Sequence, residues 1–193
     1  MNQNVKNEII DSVKVFNKIL KNDLIIEEIH KIANALQEVS LKGGNIFFAG
    51  NGGSAADSQH LAAELVGKFN FNRKAIKAQA LTTDTSILTA IGNDYTFEDV
   101  FTRQIEALGN EGDALVSMST SGNSKNIINL IKESKKRKIL TIGLTGENNS
   151  EMSKLCDHLI QVPSKNTARI QEAHILIGHI ICGSIEEGLF AKI

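Results

Sequence analysis

The sequence predicts an α/β protein with a mainly parallel five-stranded sheet flanked by helices, and three observations carry that prediction. From Ile46 onward short apolar runs alternate with helical patterns, an order that demands crossover connections and puts helices on both faces of a parallel sheet. Two helical patterns precede the first run, and a long one closes the chain. Two loops rich in glycine or serine stand directly after apolar runs, where parallel sheets place their ligands.

Residues 4–21 carry Val5, Ile9, Val13, Phe16 and Leu20 at helical spacing, which reads as one amphipathic stripe. A second helix is expected to start at Asp23 as its N-cap, to bury Ile26, Ile29, Ala33, Leu36 and Val39, and to stop at Gly43-Gly44. These helices, residues 1–42, form an N-terminal pair suited to scaffolding or to an oligomer interface. The rest, 45–193, is the α/β core, and the whole chain reads as a single domain.

The strand candidates are Ile46–Ala49, Ile76–Leu81, Ala114–Met118, Ile139–Leu144 and His158–Val162. Between them lie helices at roughly Ser54–Phe69, Asp84–Gly92, Thr96–Leu108, Ser124–Arg137 and Ser150–Leu155, with a last one from Thr167 to Leu189. Asp84 and Thr96 have the chemistry to cap two of them. There is no internal repeat and no low-complexity tract.

Composition narrows the function classes. The 193 residues are 41% apolar and 22% charged, with a formal net charge of −1, so the chain offers no basic footprint for nucleic acid or an anionic membrane. Cys156 and Cys182 sit in apolar segments and read as reduced core thiols. The longest apolar stretch, Ala173–Cys182, is interrupted by His174 and His179 and falls well short of the ~20 residues a membrane span needs. With Lys6 and Glu8 where a signal core would lie, the expectation is a cytoplasmic protein without leader or anchor.

The first loop, Gly50-Asn51-Gly52-Gly53-Ser54, lets the backbone approach a ligand closely, though a tight strand-to-helix turn would need the same glycines. Gly50, Gly52 and Ala55 also meet a loose dinucleotide fingerprint. That reading wants an acidic residue about 20 positions on, and the first candidate, Asp84, comes too late and looks like a helix cap. The second loop, Ser119-Thr120-Ser121-Gly122-Asn123-Ser124, sets four hydroxyls and a glycine at a helix N-terminus. Hydroxyls, unpaired N–H groups and the positive end of the helix dipole together make a phosphate cradle. Without a P-loop lysine it suits a monophosphate ester better than a triphosphate; a serine-rich cap is the plainer alternative.

The two loops together resemble the sugar isomerase, or SIS, domain. Gln59-His60, Glu64, Gly92-Asn93-Asp94, Arg169-Ile170-Gln171-Glu172 and His179 narrow the resemblance, over almost the whole chain, to the phosphoheptose isomerase family. The resemblance implies a flavodoxin-like SIS fold and a homotetramer with active sites at subunit contacts. It also implies zinc, one divalent ion per subunit, assisting conversion of sedoheptulose 7-phosphate to an aldoheptose 7-phosphate, the first step toward activated heptose. Carried across, Ser119, Thr120, Ser121 and Ser124 hold the phosphate, Asn51, Gly52, Gly53 and Ser54 line the sugar, and Asn93, Asp94, Glu64 and Gln171 also touch substrate. Lys68, where arginine is commoner, and Ala168, where aspartate is frequent, depart from the pattern.

Aldose–ketose exchange moves a proton between adjacent carbons, which a carboxylate and a second acid–base group can manage. His60 and Glu64 stand four apart on one helical face, and Gln171 and His179 eight apart on the last helix. The resemblance makes these four the metal set, with Gln171 the weakest ligand type, Glu64 the base and His179 the acid. Spacing alone leaves His60 and Glu64 equally suited to a solvated pair, and His179 to a core histidine. A rival of another class is a non-catalytic SIS protein that binds a replication-initiator partner. Its Ala-Arg-Ile-Gln-Glu segment is matched here at 168–172, but a binding module has no need of both Glu64 and His179.

Overall fold

The structure is a computed structural model that describes residues 3–191. Five strands, β1 (Ile46–Gly50), β2 (Ala78–Ala80), β3 (Ala114–Met118), β4 (Leu140–Gly146) and β5 (His158–Val162), form one sheet in the order β2-β1-β3-β4-β5. Every pairing is parallel. The helices are α1 (Gln3–Leu20), α2 (Asp23–Leu41), α3 (Gly53–Val66), α4 (Thr85–Asp94), α5 (Thr102–Leu108), α6 (Lys125–Lys136), α7 (Met152–Leu155) and α8 (Thr167–Phe190).

Strand alternation sorts the core into two layers. Phe48, Val116, Ile142 and Leu144 face Leu36, Leu61, Leu65, Ile177 and Ile181 of α2, α3 and α8. Phe47, Ala49 and Leu115 face Phe101, Ile105, Ile127 and Ile131 on the other side. Both faces of the central strands are therefore buried, as continuous apolar runs require. The chain reverses its winding between β1 and β3, so the loops after these two strands open at the switch point where such sheets bind ligands.

The helical ends differ from expectation for identifiable reasons. Asn22, not Asp23, caps α2: it has the extended backbone a cap needs and accepts from Ile25 N, leaving Asp23 in the first turn. The stripe expected on α1 is not what α1 buries. Of that stripe only Phe16 packs against the core, beside the buried Val15 and Ile19, while Val5, Ile9, Val13 and Leu20 point away from it and stay exposed. Ile76, Lys77 and Leu81 fall outside β2; Ile76 N donates to Leu65 O at the end of α3, while Lys77 O and Leu81 N still bond β1 at either end of the short strand. The segment expected as one helix over 96–108 is a short 3-10 turn, Phe97–Asp99, then α5, with Val100 and Phe101 buried at the break. Thr96 precedes that turn but does not cap it; its hydroxyl donates to Asp99 Oδ2. Asp84 caps α4 as expected, accepting from Ile87 N at 2.9 Å.

α8 is long and apolar enough to cross a membrane by length and composition. Its apolar character has another cause here: Ile170, Ala173, Ile177, Ile181 and Ile185 are buried in the core between the sheet, α2 and α3.

Candidate active site

Helix α3 starts in the glycine loop and runs alongside α8 in the same direction. Gly53 meets Gln171, His60 meets His179, and the chain just after α3 meets Glu186. A Cβ on Gly53 would lie 2.8 Å from the Gln171 carboxamide, so the end of that side chain sits directly against the start of α3.

One helical turn puts His60 beside Glu64, with Nε2 to Oε1 at 3.0 Å, and α8 brings His179 Nε2 to 3.2 Å from His60 Nε2. The three groups can each present one ligand atom such that all lie within 4.8 Å of one another. Two imidazoles and a carboxylate converging on one point are an ordinary zinc donor set, so these residues fit the metal the family implies. Phe69 walls the site, its ring centroid 5.7 Å from that of His179. Gln171, the fourth residue of the expected set, has its carboxamide at the glycine loop.

Asp57 belongs to this region and the sequence reading missed it. It lies three residues before His60, and its Oδ2 is buried without a hydrogen-bond partner among the described residues. Burial pushes its carboxyl up, against the pull of His60 and His179. Its i, i+3 spacing to His60 was a signal available in the sequence.

The serine loop is built differently. Ser119 directly follows β3, almost fully buried, and its Oγ lies 3.0 Å from Ser124 Oγ and 3.4 Å from Ser121 Oγ. Ser124 is the N-cap of α6, yet its side chain bonds no backbone amide of that helix, so the first N–H groups keep their donors for a ligand. Gly122 has φ +67°, and a Cβ there would strike Ser150 Oγ at 2.4 Å. Thr120 fixes the loop to β4 by accepting from Gly146 N.

Asn51 joins the two loops. Its carboxamide exchanges two hydrogen bonds of 2.9 Å with Asn126 on α6, a partner 75 residues away that local sequence could not reveal. Gly52 is exposed at the loop tip, whereas Ser54 is buried at 3% exposure beneath it. Asn93 and Asp94 lie at the exposed end of α4, with Asn93 Nδ2 donating to Asp94 Oδ1 at 2.8 Å. No residue of α4 is buried within the chain.

Comparison with known proteins shows the family. The model of the SIS domain matches residues 11–146. A phosphoheptose isomerase of Aneurinibacillus thermoaerophilus is 50% identical over 190 residues, 98% of this chain and 96% of the relative. The chain belongs to the phosphoheptose isomerase family of SIS-domain proteins. Solved structures agree. A phosphoheptose isomerase from Neisseria gonorrhoeae superposes with a TM-score of 0.90 at 41% identity, covering 96% of this chain and 98% of its own. Another from Francisella tularensis gives 0.92 at 32% identity, covering 97% and 100%. Membership of the phosphoheptose isomerase family sets aside the dinucleotide reading of the glycine loop, and Asp84, its candidate acid, is engaged as a helix cap.

Proposed function

We propose that this chain is an aldose–ketose isomerase that converts D-sedoheptulose 7-phosphate into D-glycero-D-manno-heptose 7-phosphate. The observation that carries the reading is a carboxylate and two imidazoles within 4.8 Å of one another, in a chain half identical to a phosphoheptose isomerase over nearly its full length. The serine loop binds the phosphate through the Ser119, Ser121 and Ser124 hydroxyls and the free amides of α6, with Thr120 completing the rim. Asn51, Gly52, Gly53 and Gln171 line the sugar.

Glu64 removes the proton from the carbon beside the ketose carbonyl and returns it to the neighbouring carbon, through an enediol. His179 moves the compensating proton between the two oxygens. His60 presents Nε2 3.0 Å from Glu64 Oε1, which places its imidazole to share a metal with that carboxylate. A zinc ion held by His60, Glu64 and His179, with Gln171 as the weaker fourth ligand, would polarise the substrate oxygens as a Lewis acid.

We further infer a homotetramer with sites at subunit contacts. Helix α4, bearing Asn93 and Asp94, has no fully buried residue and packs only Leu88 and Ile91 partly against its own core, and Val5, Ile9, Val13 and Leu20 on α1 are exposed apolar groups that a second subunit would cover. Asn93 and Asp94 then reach substrate across a subunit boundary. We assign the enzyme to the cytoplasm, where sugar phosphates are made and retained. The partner-binding alternative loses ground because such a module has no use for the His60, Glu64 and His179 constellation.

Turnover of sedoheptulose 7-phosphate by the purified protein tests the reading, with loss of activity on chelation and return with zinc. No turnover with any metal added would refute the isomerase. Full activity in metal-free protein would leave Glu64 and His179 as a plain acid–base pair.

A further inference from the structure

Beyond the cluster, the chain leaves α3 and docks on α8 through a buried ion pair. Glu186, fully buried on α8, accepts from Phe69 N at 2.9 Å, from Asn70 N at 2.6 Å and from Arg73 Nε at 3.0 Å. The Arg73 guanidinium turns its remaining donors on the end of α3. It bonds Glu64 O at 2.8 Å, Leu65 O at 2.7 Å, Gly67 O at 3.0 Å and Lys74 O at 3.1 Å, with its carbon 5.8 Å from the centroid of the Phe190 ring. Burial alone would push the Glu186 carboxyl up; the Phe69 and Asn70 amides and Arg73 outweigh it and hold it low.

This pair stands apart from the other ion pairs among the described residues. Arg73 and Glu186 side chains are 1% and 0% exposed, whereas every other pair has at least one side chain 26% exposed or more. Burying two charges is expensive, and apolar packing commonly stabilises a site as well, so stability is a poor reason for such a pair. Its position suggests another. Glu186 lies seven residues, two turns, after His179 and therefore on nearly the same face of α8. Arg73 holds the backbone carbonyl of Glu64 itself.

We infer that the Arg73–Glu186 clamp is a positioning device for the catalytic cluster, fixing the register of α3 against α8 so that His60 and Glu64 meet His179. The inference rests on the reading of that cluster as a zinc site. Two parallel helices can slip or rotate relative to each other, and a slip of one residue moves a ligand about 1.5 Å along the axis. Zinc ligation tolerates deviations of only about 0.2 Å. Gln171 lies against Gly53 at the start of the pair of helices and the clamp joins them at their end, with the cluster between. Arginine suits the task because its planar fork meets the carboxylate on one side and several carbonyls on the other, which a lysine ammonium cannot do.

The test uses the full chain as Glu186→Gln and Arg73→Lys, with Ile105→Ala in the opposite core layer as a control for lost stability. Zinc affinity is measured by competition with a chromophoric chelator, and ligand geometry by the visible spectrum of the cobalt-substituted protein. Both clamp variants should bind zinc about 10-fold more weakly or worse, the range seen when groups supporting metal ligands are altered. They should also shift the cobalt bands and lower kcat without raising KM, because the serine loop is untouched. Ile105→Ala should lower the melting temperature yet bind zinc as the parent does. Arg73→Lys keeps the charge, so it carries the measurement if Glu186→Gln does not fold. Parent-like zinc affinity and cobalt spectrum in a folded clamp variant would overturn the inference. If the unaltered protein itself binds no zinc, the reading of the cluster fails, and the clamp's role with it.

Discussion

The serine loop and the His60–Glu64–His179 cluster are the two halves of the proposed site, and they are built differently. The loop is contiguous: six residues, one helix start and one positive-φ glycine at Gly122 supply its hydroxyls and amides. The cluster joins side chains separated by 119 positions, and it exists only because α3 and α8 pack side by side. A phosphate has many equivalent oxygens and tolerates a ring of modest donors. Proton transfer and metal ligation demand a fixed geometry, which needs rigid helices and the buried contacts that lock them.

The largest expected separation between the two regions comes from Glu64→Gln. It removes the base at nearly constant shape, so turnover should fall by about 10²–10⁴-fold while phosphate binding to the serine loop persists. Calorimetric titration with the sugar phosphate, beside steady-state rates, reads both; near-normal turnover would remove Glu64 from the mechanism.

His174 lies behind both regions, fully buried, with neither ring nitrogen hydrogen-bonded in good geometry. Burial pushes its imidazole down from the usual 6.5 to about 4, with the Thr145 carbonyl pulling weakly the other way. Below pH 6.5 the unfolded chain takes up a proton that the folded chain refuses. Stability should therefore fall as pH drops from 6.5 to about 4, by about 3 kcal/mol at full extent. His174→Leu should flatten that part of the curve in urea titrations at several pH values; an unchanged slope would assign it to other groups.

Ser119→Ala should raise KM rather than lower kcat. The lost hydrogen bond to a charged group is worth roughly 1.5–3 kcal/mol. A fall in kcat alone would mean that the loop takes part in chemistry as well as binding. Asn123→Ala should have the smallest effect. Asn123 Nδ2 donates to Ser121 O and its Oδ1 accepts from Glu151 N, holding the exposed side of the loop. Its loss should cost about 1 kcal/mol of stability in chemical denaturation, with a minor change in KM.

The same contrast explains what could be read in advance. Central β3, buried on both faces, leaves an uninterrupted apolar run and is found at its observed bounds; the edge strand β5 is found at its bounds as well, and the other strands close to theirs. Both loops are legible because glycine and serine at a strand-to-helix junction act through local backbone geometry. Helix ends are less legible. The end of α3 at Val66 and the retreat of β2 to Ala78 depend on Arg73 and on the Ile76–Leu65 hydrogen bond, neither of them a local preference. The α1 stripe illustrates the limit of periodicity: helical spacing marks an apolar face but does not say which molecule covers it.

From sequence alone follow the α/β class, the glycine and serine loops after β1 and β3, the i, i+4 pairing of His60 with Glu64 and, through resemblance, the family. Each rests on residues close in the chain or on a pattern shared with relatives. The tertiary structure alone decides that His179 meets His60, that Asn51 pairs with Asn126, that Asp57 keeps a buried unpartnered oxygen, and that Arg73 and Glu186 are sealed together. The reason is that contacts between distant segments form only when helices pack on the sheet at one register, and that register is set by the whole buried surface acting at once.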